Sequence, residues 1–324
     1  MNDFRSLLAA RELLILDGAT GTELARRGVD TGLPLWSANG LIRAPDVVRA
    51  IHADYVRAGA NIITTNTFRT HRRNLAAAGL GRRARELTHL AVQLAREATQ
   101  IADRPHGQAV FVAGSMSPLE DCYSPHLVPP DAQLRAEHRE IAEHLAEAGC
   151  DLLLVETMNT IREATLAAEA AKSTGLPVCV SFVAGPGGRP PDQVTLARMA
   201  ATAGGLNGEE MTLLSGEPIA LAVAAVQALS PDAVMVNCVP LGLIDYAFER
   251  LVAAASYPTG VYANVGHADD RLGWALTDDV LSDVYARRAR RWRELGATII
   301  GGCCGTSPEH IAALSTTFRA AAQA

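Results

Sequence analysis

Ala297-Thr298-Ile299-Ile300-Gly301-Gly302-Cys303-Cys304-Gly305-Thr306 is an apolar run that stops in a turn of glycines and adjacent cysteines. It reads as a buried strand followed at once by chemistry-bearing residues. The same figure recurs along the chain. Ala233-Val234-Met235-Val236 gives way to Asn237-Cys238, Leu152-Leu153-Leu154-Val155 to Glu156-Thr157, and Leu13-Leu14-Ile15-Leu16 to Asp17-Gly18. Eight candidate strands emerge, at residues 13–16, 61–65, 110–114, 152–155, 178–182, 233–236, 260–263 and 298–300. Between them lie alanine-rich segments with apolar spacing of three and four, such as 132–148 and 161–172. Several of these close on a glycine just before the next strand (Gly59, Gly149, Gly175, Gly296), the expected helix stop. Eight such units predict a (β/α)8 TIM barrel, with a doubly wound sheet as the runner-up.

The chain has 324 residues, is 48% hydrophobic and 20% charged, and carries a net charge of −6. One barrel domain over residues 1–324 fits that length. Acidic and basic residues are interspersed and no basic patch interleaves with aromatics, which argues against a nucleic-acid partner. No apolar run reaches the roughly 18 residues of a membrane span, and the N-terminus lacks a signal-peptide pattern. The expected compartment is the reducing cytoplasm, where six cysteines read as metal, catalytic or buried thiols rather than a disulfide framework. A loop excursion around 185–217, with Gly-Pro-Gly-Gly-Arg-Pro-Pro near its start, is far longer than the roughly 2–6 residues of an ordinary βα loop. It is expected to cross the barrel mouth, with a short helix at 193–203. A second long loop, 116–130, follows the third strand. No pattern marks a dimer face, and a homo-oligomer stays open.

In a barrel, residues just beyond the strands build the active site at the C-terminal mouth. Here they are Asp17-Gly18, Asn66-Thr67, Ser115, Glu156-Thr157, Asn237-Cys238, Asn264 and Gly301 through Cys304. A free cysteine is most often a small buried hydrophobe, and that reading suits Cys150 and Cys179; Cys122 is a loop thiol without an assigned role. Cys303 and Cys304 sit between glycines, and a vicinal disulfide there would be strained. With Cys238 at another strand end, they form a candidate three-sulfur metal site with one open position. The histidines offer no rival ligand set of the HExxH kind. Asp17 could simply cap a helix, as could Thr20 or Thr22. Glu156 at a strand end needs a partner, and two carboxylates at one mouth suit an ammonium group. The turn Asp17-Gly18-Ala19-Thr20-Gly21-Thr22 exposes backbone N–H groups that suit a carboxylate. Together these features could hold both ends of an amino acid.

These residues give the chain its resemblance to the zinc-dependent homocysteine S-methyltransferases. That family includes the S-methylmethionine and betaine enzymes and the homocysteine module of cobalamin-dependent methionine synthase. The carriers are Leu16 through Glu23, Leu35-Trp36-Ser37-Ala38, His52-Ala53-Asp54-Tyr55, Ala58-Gly59-Ala60 and Thr64-Thr65-Asn66-Thr67-Phe68. They continue with Leu154-Val155-Glu156-Thr157, Val236-Asn237-Cys238, Tyr262-Ala263-Asn264 and Ile300 through Thr306. The resemblance implies a barrel with Zn2+ on Cys238, Cys303 and Cys304, which would also be the catalytic residues. Homocysteine would be the fourth ligand through its sulfur. Its amino group would meet Asp17 and Glu156, and its carboxylate the turn at Gly18 and Ala19, with Asn237 and Asn264 also at the substrate. Zinc would keep the substrate sulfur a thiolate, in line with the methyl group of a cationic donor.

Three segments depart from the family pattern. Ser115-Met116-Ser117-Pro118-Leu119-Glu120-Asp121 stands where a Gly-Ser-Val/Ile-Gly-Pro run is usual, Phe68 through Arg73 is unusually basic, and Asn264-Val265-Gly266-His267 replaces Asn-Ser-Gly-Glu. All three lie at the mouth and bear on the methyl donor. A sulfonium donor, S-methylmethionine or S-adenosylmethionine, is favoured, with betaine second. The length leaves no room for folate- and cobalamin-binding domains, so a complete methionine synthase is not expected. A methyl-accepting partner in a corrinoid system remains an alternative. So does a zinc- or thiol-sensing barrel without turnover. A cysteine-nucleophile hydrolase would need a histidine beside the thiol, for which only His267 is placed.

Overall fold

The computed structural model describes residues 3–104, 109–187, 211–266 and 281–322. Eight parallel strands form the barrel: β1 (Leu14–Ile15), β2 (Ile62–Thr64), β3 (Phe111–Met116), β4 (Leu152–Met158), β5 (Val178–Phe182), β8 (Ala233–Pro240), β9 (Thr259–Asn264) and β10 (Ala297–Gly302). The hydrogen-bonded order is β1-β10-β9-β8-β5-β4-β3-β2. A parallel bridge between Leu16 and Ile62 brings the sheet round on itself, reinforced by Asp17 N–H donating to Ile62 O at 2.9 Å. Every barrel strand is followed by an outer helix, including Pro45–Ala58, Ala84–Ile101, Asp131–Glu147 and Ile161–Lys172. This is a (β/α)8 TIM barrel, as the recurring apolar runs predict.

The strand sequences read as unbroken apolar runs because both faces are buried. Alternate side chains divide between two cores. One face, with Leu14, Leu16, Leu152, Leu154, Met235 and Ile299, fills the lumen. Phe4, Leu7 and Leu8 of the first helix (Phe4–Ala9) pack into this lumen core. The other face, with Ile15, Leu153, Val155, Val234, Val236 and Ile300, packs against the helices. Cys179 belongs to the lumen and Cys150 to the outer layer, both buried, as expected for structural thiols. At the end of the helix Pro45–Ala58, Gly59 has φ 101°, a left-handed turn that a side chain would strain.

Of the strands that outrun their apolar runs, β4 and β8 do so furthest. β4 continues through Glu156 and Thr157, and β8 through Asn237 and Cys238. The register slips in both places, between Val155 and Met158 against β5 and between Asn237 and Pro240 against β9. These are β-bulges, which twist a strand and re-aim its side chains. The excursion after β5 opens with an antiparallel pair, β6 (Ala184–Pro186) with β7 (Met211–Leu213). The helix expected at 193–203 lies outside the described residues. Among the described residues, no helix is long and apolar enough to cross a membrane.

Candidate functional site

The two bulges each hold a non-glycine residue in the left-handed region, Thr157 at φ 62° and Cys238 at φ 56°. Such conformations cost about 1–3 kcal/mol each and persist only where neighbours enforce them. Asn237 does the enforcing. Its Oδ1 accepts from Thr157 N–H at 3.1 Å and from Ser181 Oγ at 2.7 Å, and its Nδ2 donates to Thr157 Oγ1 at 2.8 Å. One fully buried amide thus ties the bulge carrying Glu156 to the bulge carrying Cys238.

Cys303 and Cys304 follow β10 directly. Cys303 N–H donates to Ala263 O at 2.9 Å, Val265 N–H to Cys304 O at 2.8 Å, and Gly302 N–H to Asp17 O at 3.0 Å. Gly305, at φ 83°, completes the turn where a Cβ would collide with the Val265 carbonyl. Thr306 Oγ1 donates to Cys303 O at 2.7 Å and accepts from Ala19 N–H at 3.3 Å. The turn after β1 and the cysteine turn after β10 are therefore one unit, further bound by Arg26, which contacts the carbonyls of Gly305 and Thr306.

The sulfurs of Cys238, Cys303 and Cys304 all lie within 4.8 Å of one another. A tetrahedral zinc with Zn–S bonds of about 2.3 Å needs sulfurs about 3.8 Å apart, so the cluster fits such an ion and leaves a fourth position. Hydrogen bonds from Cys303 and Cys304 hold the Cys238 thiol well below its ordinary value, and those two thiols are pushed well above theirs by the Cys238 sulfur they face. A divalent ion bound here would draw off the thiol protons that remain. Among the described residues no other group of three ligand side chains comes together in this way.

Asp17 and Glu156 stand at the same mouth, both buried. Asp17 is not a helix cap. Its carboxylate accepts from Thr64 N–H at 2.8 Å and Thr64 Oγ1 at 2.9 Å. Glu156 accepts from Ser115 Oγ at 2.5 Å and Tyr262 OH at 3.1 Å. Neither makes an ion pair among the described residues. Burial lifts Asp17 well above the usual carboxylate range, with Glu156 adding to the shift. Burial likewise pushes Glu156 up to about 7, with Cys238 contributing. Two buried acids without a cation form a ready site for an ammonium group.

The structure thus places Asp17, Gly18, Ala19, Glu156, Asn237, Cys238, Asn264, Cys303 and Cys304 around the ends of β1, β4, β8, β9 and β10. Asn264 lies beside Cys238, Nδ2 to Sγ 3.7 Å, with its Oδ1 buried and unpaired. The Ala19 N–H already meets Thr306. Sequence reading missed Tyr123, whose hydroxyl lies 2.9 Å from Cys238 Sγ. It also missed the partners of the acids: Thr64, Ser115 and Tyr262. Ser115 stood at a strand end and Thr64 and Tyr262 in segments that carry the resemblance, but nothing local told which acid each serves. The basic segment turns inward to its own chain. Arg72 pairs with Glu140, Arg73 with Glu120 at 2.9 Å and Glu137 at 2.5 Å, and Arg69 stacks over Phe68 at 5.8 Å. His267 lies outside the described residues.

A parallel barrel that gathers three cysteine sulfurs and two buried acids at its C-terminal mouth has the layout of an enzyme active site. A model of the homocysteine S-methyltransferase family matches residues 14–318. The homocysteine S-methyltransferase of Escherichia coli (strain K12) is 31% identical over 329 residues, covering 97% of this chain and 97% of that protein. Homocysteine S-methyltransferase YbgG of Bacillus subtilis (strain 168) is 29% identical over 332 residues, covering 98% of each. The crystal structure of the metallated form of the Escherichia coli homocysteine methyltransferase MmuM matches with a TM-score of 0.78 at 31% identity, over 97% of this chain and 99% of that one. The chain belongs to the homocysteine S-methyltransferase family and is a methyltransferase.

Proposed function

We propose that this enzyme moves a methyl group from a sulfonium donor, S-methylmethionine or S-adenosylmethionine, to the sulfur of homocysteine, with zinc on Cys238, Cys303 and Cys304. The observation that carries the reading is the set of three sulfurs within 4.8 Å of one another at the mouth that also holds two buried acids with no ion pair among the described residues. Zinc, when bound, would supply Lewis acidity that keeps the substrate sulfur a thiolate at neutral pH.

The chain's own residues do the rest. Asp17 and Glu156 take the ammonium group of the amino acid, which restores their charge and fixes one end of the substrate. The turn at Gly18 and Ala19 faces its carboxylate. Asn264 borders the sulfur site beside Cys238. Asn237 acts at one remove, by locking the bulges that aim Glu156 and Cys238. Holding nucleophile and methyl carbon in line supplies up to about 7–11 kcal/mol in favourable systems. A cationic donor loses its charge as the methyl leaves, so the reaction needs no general base once the thiol proton is gone.

The test is methyl transfer to homocysteine by zinc-loaded protein with labelled S-methylmethionine, S-adenosylmethionine, betaine and dimethylsulfoniopropionate in parallel. Labelled methionine from a sulfonium donor supports the reading. Transfer from betaine alone would replace the donor, and silence across the panel would refute the reaction in favour of a corrinoid-linked or non-catalytic barrel. Glu156→Ala should raise the homocysteine KM while zinc content stays the same; loss of zinc would place Glu156 wrongly.

A further inference from the structure

The loop after β3 is one of the three mouth segments that depart from the family pattern, and the structure shows where it leads. Leu119 is fully buried, with its N–H donating to Glu163 Oε1 at 2.8 Å. Glu163 Oε1 is also 3.1 Å from His138 Nε2, both side chains being wholly inaccessible. Glu120 is tied to Arg73, Asp121 caps the turn through Tyr123 N–H and Ser124 Oγ, and Cys122 O accepts from Asn159 Nδ2 at 2.9 Å. Four consecutive residues are thus anchored, and the next one, Tyr123, projects its hydroxyl to Cys238 Sγ at 2.9 Å.

A methyl-transfer site built on cysteine thiolates has an inherent competition. The methyl electrophile meets the substrate thiolate and the protein's own thiolates in one small volume. Attack by Cys238 would form an S–CH3 bond, break the donor's S–CH3 bond and release the donor as a neutral thioether. It would leave Cys238 as an uncharged thioether, with one ligand charge lost for good. A thiolate that accepts hydrogen bonds has its lone pairs engaged and is a weaker nucleophile. When Cys238 is a thiolate it has no proton to give, so the Tyr123 hydroxyl must be the donor. Asn264 Nδ2, at 3.7 Å, is a second donor beside the same sulfur.

We propose that Tyr123 is a positioning residue that restrains the Cys238 sulfur by hydrogen bonding, so that an incoming methyl group goes to the substrate thiolate and not to the protein. The proposal rests on the reading of this mouth as the methyl-transfer site.

The experiment treats wild type and Tyr123→Phe with a generic methylating agent, methyl methanesulfonate, without homocysteine, and reads methylation of each cysteine by peptide mass spectrometry. It is run with zinc-loaded and metal-free protein, with metal content measured. Loss of one hydrogen bond of ordinary strength should speed Cys238 methylation about fivefold, with Cys303 and Cys304 unchanged. Equal acceleration at all three cysteines would mean a loosened site and would overturn the proposal, as would no change at Cys238. The probe does not depend on the natural donor. Failure of wild type to retain zinc would refute the metal reading separately, while the metal-free arm still judges Tyr123.

Discussion

Asn237→Ala distinguishes a substrate contact from a structural tie. The substitution removes three buried hydrogen bonds, to Thr157 N–H, Ser181 Oγ and Thr157 Oγ1. Each is worth about 1 kcal/mol net, and a buried donor left without a partner costs about 1–3 kcal/mol. The expected destabilisation is therefore about 3–6 kcal/mol, a large share of the roughly 5–15 kcal/mol that holds a domain folded. The loss should not be uniform. Thr157 and Cys238 are held at positive φ, and without the amide both bulges can relax toward ordinary strand. Urea unfolding of the metal-free protein should show the stability loss, and zinc titration should show weakened binding, although Asn237 is not a ligand in this scheme. A variant with wild-type stability and zinc affinity but a raised homocysteine KM would refute the tie and make Asn237 a direct substrate contact.

Glu156 should make stability depend on pH in the substrate-free protein. Its folded-state value of about 7 exceeds the ordinary 4.5, so the charged form opposes folding: the cost is absent below about pH 4.5, grows up to about 7, and is full above it. Glu156→Gln should therefore stabilise the protein by up to about 3 kcal/mol near pH 8 and hardly at all near pH 4.5, as read by urea unfolding. For the same reason homocysteine affinity should rise with pH, by up to about tenfold per unit below 7, and flatten above; calorimetric titration showing the reverse would rule out Glu156 as the ammonium partner. Cys304→Ser should cut zinc affinity by more than about a hundredfold while the circular dichroism spectrum is kept, with a zinc-replete, active variant as the contrary result. Gly305→Ala should unseat the cysteine turn, because the new methyl would meet the Val265 carbonyl; unchanged zinc content would contradict that geometry.

The barrel was legible because its strands are buried on both faces and so read as continuous apolar runs, each followed by polar residues. The strand limits were less legible. Glu156-Thr157 and Asn237-Cys238 read as residues beyond their strands, whereas bulges keep them inside β4 and β8. A bulge is a long-range register event with no local period. The three cysteines and two acids stood out because their types are costly at such positions. Tyr123 did not, since its reach to Cys238 depends on the path of the loop after β3, fixed by contacts with Glu163, Arg73 and Asn159 that lie far apart in sequence. Phe68 through Arg73 read only as an unusually basic stretch of the mouth for the same reason: the acids that pair with Arg72 and Arg73, Glu140 and Glu137, belong to a helix more than sixty residues on.

The joining of the turn after β1 to the turn after β10 has a consequence for how the protein is made. Synthesis yields Cys238 several seconds before Cys304, at the roughly 5–20 residues per second of translation. Until β10 has emerged and paired with β1, Asp17 faces no cysteine turn, Thr306 is not there to meet Ala19, and Cys238 is a solitary thiol. An ion cannot be captured in this site by a growing chain with only part of its barrel. On the zinc reading proposed above, metal loading would therefore report on complete folding, and a truncated or stalled product would lack the three-sulfur cluster.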